Sequence, residues 1–210
     1  MIYLGTDYFN KYQDTIGYII GRAIEEKLSY SFIEESISYS KAFSQFEKSN
    51  VTEIAFSSMQ KLYYDIFPLY ASKEFDYNPY DIYAWIGYAY VHLFFELQLT
   101  FEALFIVFPI SEAIHKYNVY HEMDISQLIN YVKEKIKYSS FDLIMNYKNI
   151  SSNDLSTITG ISFSTIQALR YNKRNIDKLE CKKLLILSNA LNVKMESLLS
   201  HINLDFQKDE

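Results

Sequence analysis

The chain has 210 residues, of which 49% are hydrophobic and 22% charged, and this ordinary balance excludes disorder along its whole length. The single cysteine, Cys181, excludes an internal disulfide framework and a cysteine-rich zinc module, and one thiol fits a cytoplasmic location. With only five glycines and three prolines, the chain has few turn-forming residues, which favours helices over many short strands. The composition therefore predicts an all-α protein.

The net charge of −6 is distributed unevenly along the chain. Residues 151–200 hold 7 Lys and Arg against 4 Asp and Glu, a net +3, whereas residues 1–150 carry a net −7. Most of the 20 tyrosines and 15 phenylalanines also precede the basic segment. Such asymmetry predicts two units with different partners. We place a helical domain rich in Tyr and Phe at 1–139, a second domain at 140–202 and a frayed tail at 203–210.

The first predicted helix covers residues 8–28, where Tyr12 and Ile16 begin an apolar stripe at helical spacing. Gly17 and Gly21 lie one turn apart on this helix. Because neither carries a side chain, this pair predicts that the backbone of another helix approaches closely here.

A second long helix is predicted from Asn78-Pro79, which resemble an N-cap and a first-turn proline, to about Leu99. It is apolar on nearly every face, which is typical of a helix at the centre of a bundle. Its uncharged stretch, 82–95, is shorter than the roughly 18–20 residues of a membrane-spanning helix, so we expect a buried core helix and no membrane partner. Thr100 and Ser111 are predicted to cap the helices that follow.

The last third of the chain shows a different pattern, with short helices separated by tight turns. Ser151 or Ser152 is predicted to cap a helix that ends at Gly160, and Ile158 is assigned to the buried face of that helix. Glycine supplies the positive φ that a tight helix-to-helix turn requires. A basic loop at 172–175 precedes further helices.

Three segments carry a recognisable pattern: residues 155–169 (LSTITGISFSTIQAL), Lys173 to Ile176, and residues 191–199. Their Gly-hydrophobic-Ser, Thr-Ile and terminal Leu-Leu landmarks resemble an Xre/Cro-type, lambda-repressor-like helix-turn-helix domain. The resemblance implies a C-terminal domain of five helices, whose third helix lies in the major groove of DNA. A small helical bundle with a chance turn is the alternative.

The resemblance implies DNA contacts of two kinds. Gln167 suits adenine, the Phe163 ring and Thr165 suit thymine methyl groups, and Ser164 completes the base-edge candidates. The phosphate candidates are cationic or hydroxyl residues at helix ends and in the basic loop: Ser152, Ser162, Arg170, Lys173, Arg174 and Lys178. The alternatives are a solvated helix end for the cations and a packing role for Phe163.

The sequence departs from the family pattern at four positions. Ser152 stands where the family usually has a phosphate-binding glutamine, and Met145 where its first helix usually has an arginine. Arg170 replaces the glutamate usual near the end of the third helix, and Asn172 replaces the glycine after it. Asparagine tolerates the left-handed conformation, so the fold is expected to survive, and the lost polar contacts bear on DNA affinity.

The first unit is faintly similar, through residues 85–90 and 117–121, to a helical domain that precedes such helix-turn-helix domains in uncharacterised Gram-positive mobile-element and antitoxin-like regulators. We therefore expect a partner-binding or dimerising domain. Its tyrosines line either a protein-binding surface or the core.

These patterns predict a dimeric, sequence-specific DNA-binding repressor of its own operon, antitoxin-like, with double-stranded DNA and a toxin or defence enzyme as partners. The alternative is a protein-interaction inhibitor, an antitoxin or a phage-encoded inhibitor of a host defence enzyme, whose helix-turn-helix domain is secondary or structural. The sequence contains no nucleophile elbow, glycine-rich phosphate loop or metal-ligand spacing. We therefore expect no enzymatic activity, no cofactor and no metal.

Overall fold

The computed structural model describes residues 6–47, 54, 57–70, 78, 81–136 and 140–198. These residues are helical or lie in turns and loops, with no strand among them, so the predicted all-α fold is confirmed for the described part of the chain. The chain divides into two compact units, 1–130 and 131–210. This division falls inside a helix, whereas the sequence places the domain boundary near residue 139.

The first unit is built from seven helices within its described residues, and the helix that carries the division follows them. In chain order they are α1 (Thr6–Glu25), α2 (Tyr30–Tyr39), α3 (Lys41–Glu47), α4 (Met59–Ile66), α5 (Ile82–Leu97), α6 (Phe101–Val107), α7 (Ile110–Tyr120) and, across the division, α8 (Ile125–Ile136). A single 3-10 turn, Pro68–Tyr70, follows α4.

Helices α1 and α5 cross in close contact at glycine residues. A Cβ atom added at Gly87 would lie 2.1 Å from the Gln13 carbonyl oxygen and 2.6 Å from the Gly17 backbone nitrogen. One turn along α1, a Cβ at Gly21 would lie 2.6 Å from the Tyr83 ring. The close approach predicted from Gly17 and Gly21 is thus confirmed, and α5 is the helix that approaches.

Helix α5 is the centre of the first unit, as its composition predicts. Ile86, Tyr90 and Leu93 are fully buried, and every residue of the following α6 is buried. Among the described residues no single helix is long and apolar enough to cross a membrane; α5 and α6 meet the criterion only together, with a bend of 109° between them. Some of the tyrosines belong to the core, such as Tyr12, which is fully buried, whereas others, such as Tyr8, are exposed.

Two of the predicted helix caps are wrong, and a third is confirmed. Thr100 accepts a hydrogen bond from the Ala103 backbone nitrogen, as expected. Helix α5 is capped by Asp81, not by Asn78, and Ser111 lies inside α7. The first N–H of α7, at Ile110, donates instead to the Glu34 carboxylate at 2.7 Å. A buried acid from α2 therefore replaces the local cap, and it also suits the positive end of the α7 dipole.

A buried arginine joins α1 to α4. Arg22 is almost fully buried, and its Nη1 donates to the Tyr18 hydroxyl at 3.0 Å while its Nε donates to Glu26 at 3.2 Å. Its guanidinium lies 4.3 Å from the centre of the Tyr63 ring. Hydrogen bonds and cation–π contact thus compensate the removal of this charge from water.

His92, on α5, is expected to make the free energy of unfolding of the first unit depend on pH. Its ring lies 4.9 Å from the Phe9 ring and 4.3 Å from the Tyr88 ring. Burial lowers the pKa of His92 below its ordinary 6.5, and the Glu96 carboxylate opposes this shift. The free energy of unfolding should therefore decrease as the pH falls below 6.5, because the unfolded chain then binds a proton that the folded chain resists.

The measurement is urea unfolding between pH 8 and pH 5, followed by the fluorescence of Trp85, the only tryptophan in the chain. His92→Gln should flatten the pH dependence of the free energy of unfolding. This account would be contradicted if the free energy of unfolding changed with pH by the same amount in the wild type and in His92→Gln.

Candidate nucleic-acid interface

The second unit contains five short helices within its described residues. They are α9 (Ser140–Tyr147), α10 (Ser152–Thr159), α11 (Phe163–Arg170), α12 (Cys181–Leu191) and α13 (Met195–Leu198), with a 3-10 turn at Ile176–Lys178 between α11 and α12. Leu155, Ile166 and Leu187 are fully buried, or nearly so, and belong to its core. The predicted five-helix pattern is confirmed here.

The turn between α10 and α11 is fixed by glycine and by hydroxyl groups. Gly160 ends α10 with a φ of 69°, as predicted. The Ser156 hydroxyl donates to the Ile161 carbonyl at 2.7 Å, and Thr159 Oγ1 accepts from the Ile161 backbone nitrogen at 3.2 Å. These bonds hold the two helices in one relative orientation. Ile158 on α10 is 63% exposed, so its assignment to the buried face is wrong.

Helix α11 presents its N-terminal end to solvent. Ser162 is its N-cap and accepts from the Thr165 backbone nitrogen, as predicted. Phe163 is 47% exposed, and Ser164 is exposed beside it. Gln167 and Thr165 are half-buried, and the Thr165 hydroxyl lies 2.9 Å from Ser162 Oγ within hydrogen-bond distance. Phe163 and Ser164 are therefore the most accessible of the four base-edge candidates.

The cations after α11 project from an ordered loop. Asn172 has a φ of 54°, the left-handed conformation that its position requires, and the Arg174 backbone nitrogen donates to the Ala168 carbonyl at 3.0 Å. Lys173, Arg174 and Lys178 are exposed and make no ion pair with any described residue. Their charges are thus available to an anionic partner.

Arg170 and Ser152 take part in helix packing. Arg170 Nε donates to Asp142 Oδ1, and its Nη2 donates to Asn146 Oδ1 at 2.9 Å, so the end of α11 is tied to α9. Arg170 Nη1 lies 3.5 Å from the hydroxyl of Ser152, which is only 4% exposed. Both phosphate candidates are therefore engaged inside the domain, and the exposed N-cap of α10 is Ser151.

Asp142 is the residue that sequence reasoning missed. It lies one turn before Met145, which is fully buried where the family usually has an arginine. The usual first-helix arginine and third-helix glutamate are both absent, but the chain has an acid on the first helix and an arginine on the third. The available signal was the pair of opposite charges that Asp142 and Arg170 place on the first and third helices of this unit.

Comparison with known proteins identifies the class of this unit. Residues 140–203 match the family model of the Cro/C1-type HTH DNA-binding domain. No curated protein and no solved structure shows significant similarity to the chain. The match supports a Cro/C1-type helix-turn-helix domain at residues 140–203, as the resemblance predicts, and it supports a DNA-binding regulator. The expected kinship of the first unit with antitoxin-like regulators has no support from these comparisons.

Proposed function

We propose that the chain is a sequence-specific transcriptional regulator that inserts the N-terminal end of α11 into the major groove of double-stranded DNA. The observation that carries this proposal is the exposed start of α11, at Phe163 and Ser164, followed by a loop whose exposed cations form no ion pair with any described residue. Recognition helices of this class place their N-terminal residues at base edges, while nearby cations neutralise phosphates.

We further propose that the chain acts as a homodimer and represses its own operon. A two-fold dimer would bind half-sites about one helical turn, ~34–36 Å, apart. Within each half-site, Gln167 reads a base edge, and Lys173, Arg174 and Lys178 contact phosphates. Arg170 and Ser152 support the orientation of α11 through their contacts with α9 and α10.

The test is DNA footprinting on the promoter of the chain's own gene, combined with affinity measured at several salt concentrations. Arg174→Gln should weaken binding to all sequences and reduce the magnitude of the salt slope by about 1, because one phosphate contact is lost. Gln167→Ala should cost about 1–3 kcal/mol at the specific site and relax the sequence preference.

Lys61→Gln is the matched control, since Lys61 is an exposed cation of the first unit that is paired with Asp65 at 2.8 Å. Its removal should leave both the affinity and the salt slope at wild-type values. If Arg174→Gln behaves as this control does, the assignment of phosphate contacts is wrong.

We propose a second role for the first unit, as an antitoxin-like module that binds and blocks a protein such as a toxin or defence enzyme. This role is favoured by an exposed apolar cluster at α2 and the 3-10 turn after α4. Phe32 is exposed with its ring 6.1 Å from the Tyr70 ring, and Leu69 is 89% exposed. Exposed aromatic and apolar groups in proximity are typical of protein-binding surfaces.

The test of this second role is affinity capture with the full chain, followed by an activity assay of the captured protein. The double variant Phe32→Ser and Leu69→Ser should lose both capture and inhibition, whereas Lys61→Gln should retain them. The role would be contradicted if the chain did not inhibit the captured protein and if the double variant still bound that protein.

A further inference from the structure

The accessible face at the start of α11 carries no charge. Phe163 and Ser164 are exposed there, and Gln167 lies half-buried one turn further along. The one cation of this helix, Arg170, is held at the opposite end by Asp142 and Asn146. Lys173 and Arg174 come after the helix has ended, in the loop closed by Asn172.

An uncharged face at the start of α11 favours some base pairs over others. In the major groove, guanine is read chiefly by an arginine or lysine that donates to O6 and N7, and cytosine by a carboxylate that accepts from N4. The start of α11 offers neither group. A glutamine side chain matches the N6 and N7 atoms of adenine, and an apolar side chain matches the C5-methyl group of thymine. The face is therefore complementary to A·T pairs.

Phe163 is suited to a partner outside the domain. It is the first residue of α11, it is 47% exposed, and its ring contacts no other aromatic ring among the described residues. The inner face of the helix is filled by Ile166 and Leu169, which are buried. The core beneath α11 is thus filled without the outer part of the Phe163 ring, and that apolar surface is exposed to water in the free chain.

We propose that the half-site is read through A·T pairs, with the Phe163 ring packed on a thymine C5-methyl group and Gln167 bonded to an adenine. This inference rests on the proposed DNA-binding function, and it adds the class of sequence that is bound. Specificity then comes from methyl contact and amide hydrogen bonds, and the cations of the following loop contribute affinity without base preference.

The experiment begins with selection of duplexes from a 30-base-pair library with a randomised centre, using the full-length chain. The selected duplex is then remade with deoxyuridine in place of single thymidines, which removes only the methyl group. Loss of one buried methyl contact should weaken wild-type binding about fourfold at the contacted thymine. Phe163→Ala should bind the thymidine and deoxyuridine duplexes equally, and Phe163→Leu should keep part of the difference.

Tyr171→Ala is the matched control, because Tyr171 is an exposed aromatic residue just beyond the end of α11. This variant should retain the full difference between thymidine and deoxyuridine. Circular dichroism of each variant establishes that the helices are intact.

Selected half-sites dominated by G·C pairs, or a deoxyuridine duplex that binds as well as the thymidine duplex at every position, would overturn the inference while leaving DNA binding in place. A chain that binds no library duplex at low ionic strength would overturn the proposed function itself. The two failures are thus distinguishable.

Discussion

Replacing Gly87 by alanine should destabilise the first unit by about 4 kcal/mol, a large effect for the addition of one methyl group. The new Cβ would lie 2.1 Å from the Gln13 carbonyl oxygen and 2.6 Å from the Gly17 nitrogen. Both obstacles are backbone atoms of α1, which cannot rotate away as a side chain does. Helices α1 and α5 would have to separate, and the contacts buried between them would be lost.

Urea unfolding followed by Trp85 fluorescence measures this effect, because Trp85 lies on α5, two residues before the crossing at Gly87. Gly21→Ala should cost less, since its Cβ meets the Tyr83 side chain and not backbone. Gly160→Ala is a control in the second unit, followed there by amide hydrogen exchange: no atom lies within 4 Å, and only its φ of 69° opposes alanine, at about 1–2 kcal/mol. A Gly87→Ala midpoint equal to that of the wild type would refute the tight crossing.

Reversing the charge of Arg170 alone should destabilise the second unit by about 2 kcal/mol, because a glutamate there would face Asp142 and leave Asn146 without its donor. The estimate is below that for a fully buried pair, since the Arg170 and Asp142 side chains are 24% and 27% exposed. The double change Arg170→Glu with Asp142→Arg again places opposite charges at these two positions. It should recover most of the lost stability and of the DNA affinity.

The measurement is a double-mutant cycle, with the stability of the second unit followed by amide hydrogen exchange in α11. Removing the exposed pair of Glu180 and Lys183, whose atoms lie 2.7 Å apart, serves as the control and should cost less than about 0.5 kcal/mol. Additive effects of the two single changes at positions 142 and 170 would show that the pair does not couple α9 to α11.

The sequence was most informative where local chemistry decides the structure. Helix caps depend only on backbone groups a few residues away, and the predicted caps at Gly160, Ser162 and Thr100 are confirmed. Gly17 and Gly21 indicated a close helix crossing because only a missing side chain permits one.

The sequence was least informative where the local structure depends on a residue that is distant along the chain. The N-terminus of α7 is satisfied by Glu34, which lies 76 residues earlier in the chain, so the local pattern favoured Ser111 instead. Asp81 replaced Asn78 as a cap because the start of α5 lies beyond Pro79. Ile158 fits a helical stripe but remains exposed, because α10 packs through Leu155 and Ser152.

In the helix-turn-helix segment, the positions of the helices were predictable but the contacts between them were not. The spacing from Gly160 to Gln167 predicted α11 and its exposed start. The roles of Arg170 and Ser152 depend on Asp142, 28 residues before Arg170, and no periodicity in the sequence reveals that contact.

The central claim, that the start of α11 lies in the major groove, is tested most directly by DNA cleavage from a tethered iron chelate. Cys181 is the only cysteine of the chain, so a Cys181→Ser background permits a single label at Ser164→Cys, with Asn189→Cys, at an exposed residue near the end of α12, as the control. The account predicts strong cleavage inside each half-site from position 164 and weak cleavage from position 189. Equal cleavage from both positions, or none from position 164 on bound DNA, would contradict it.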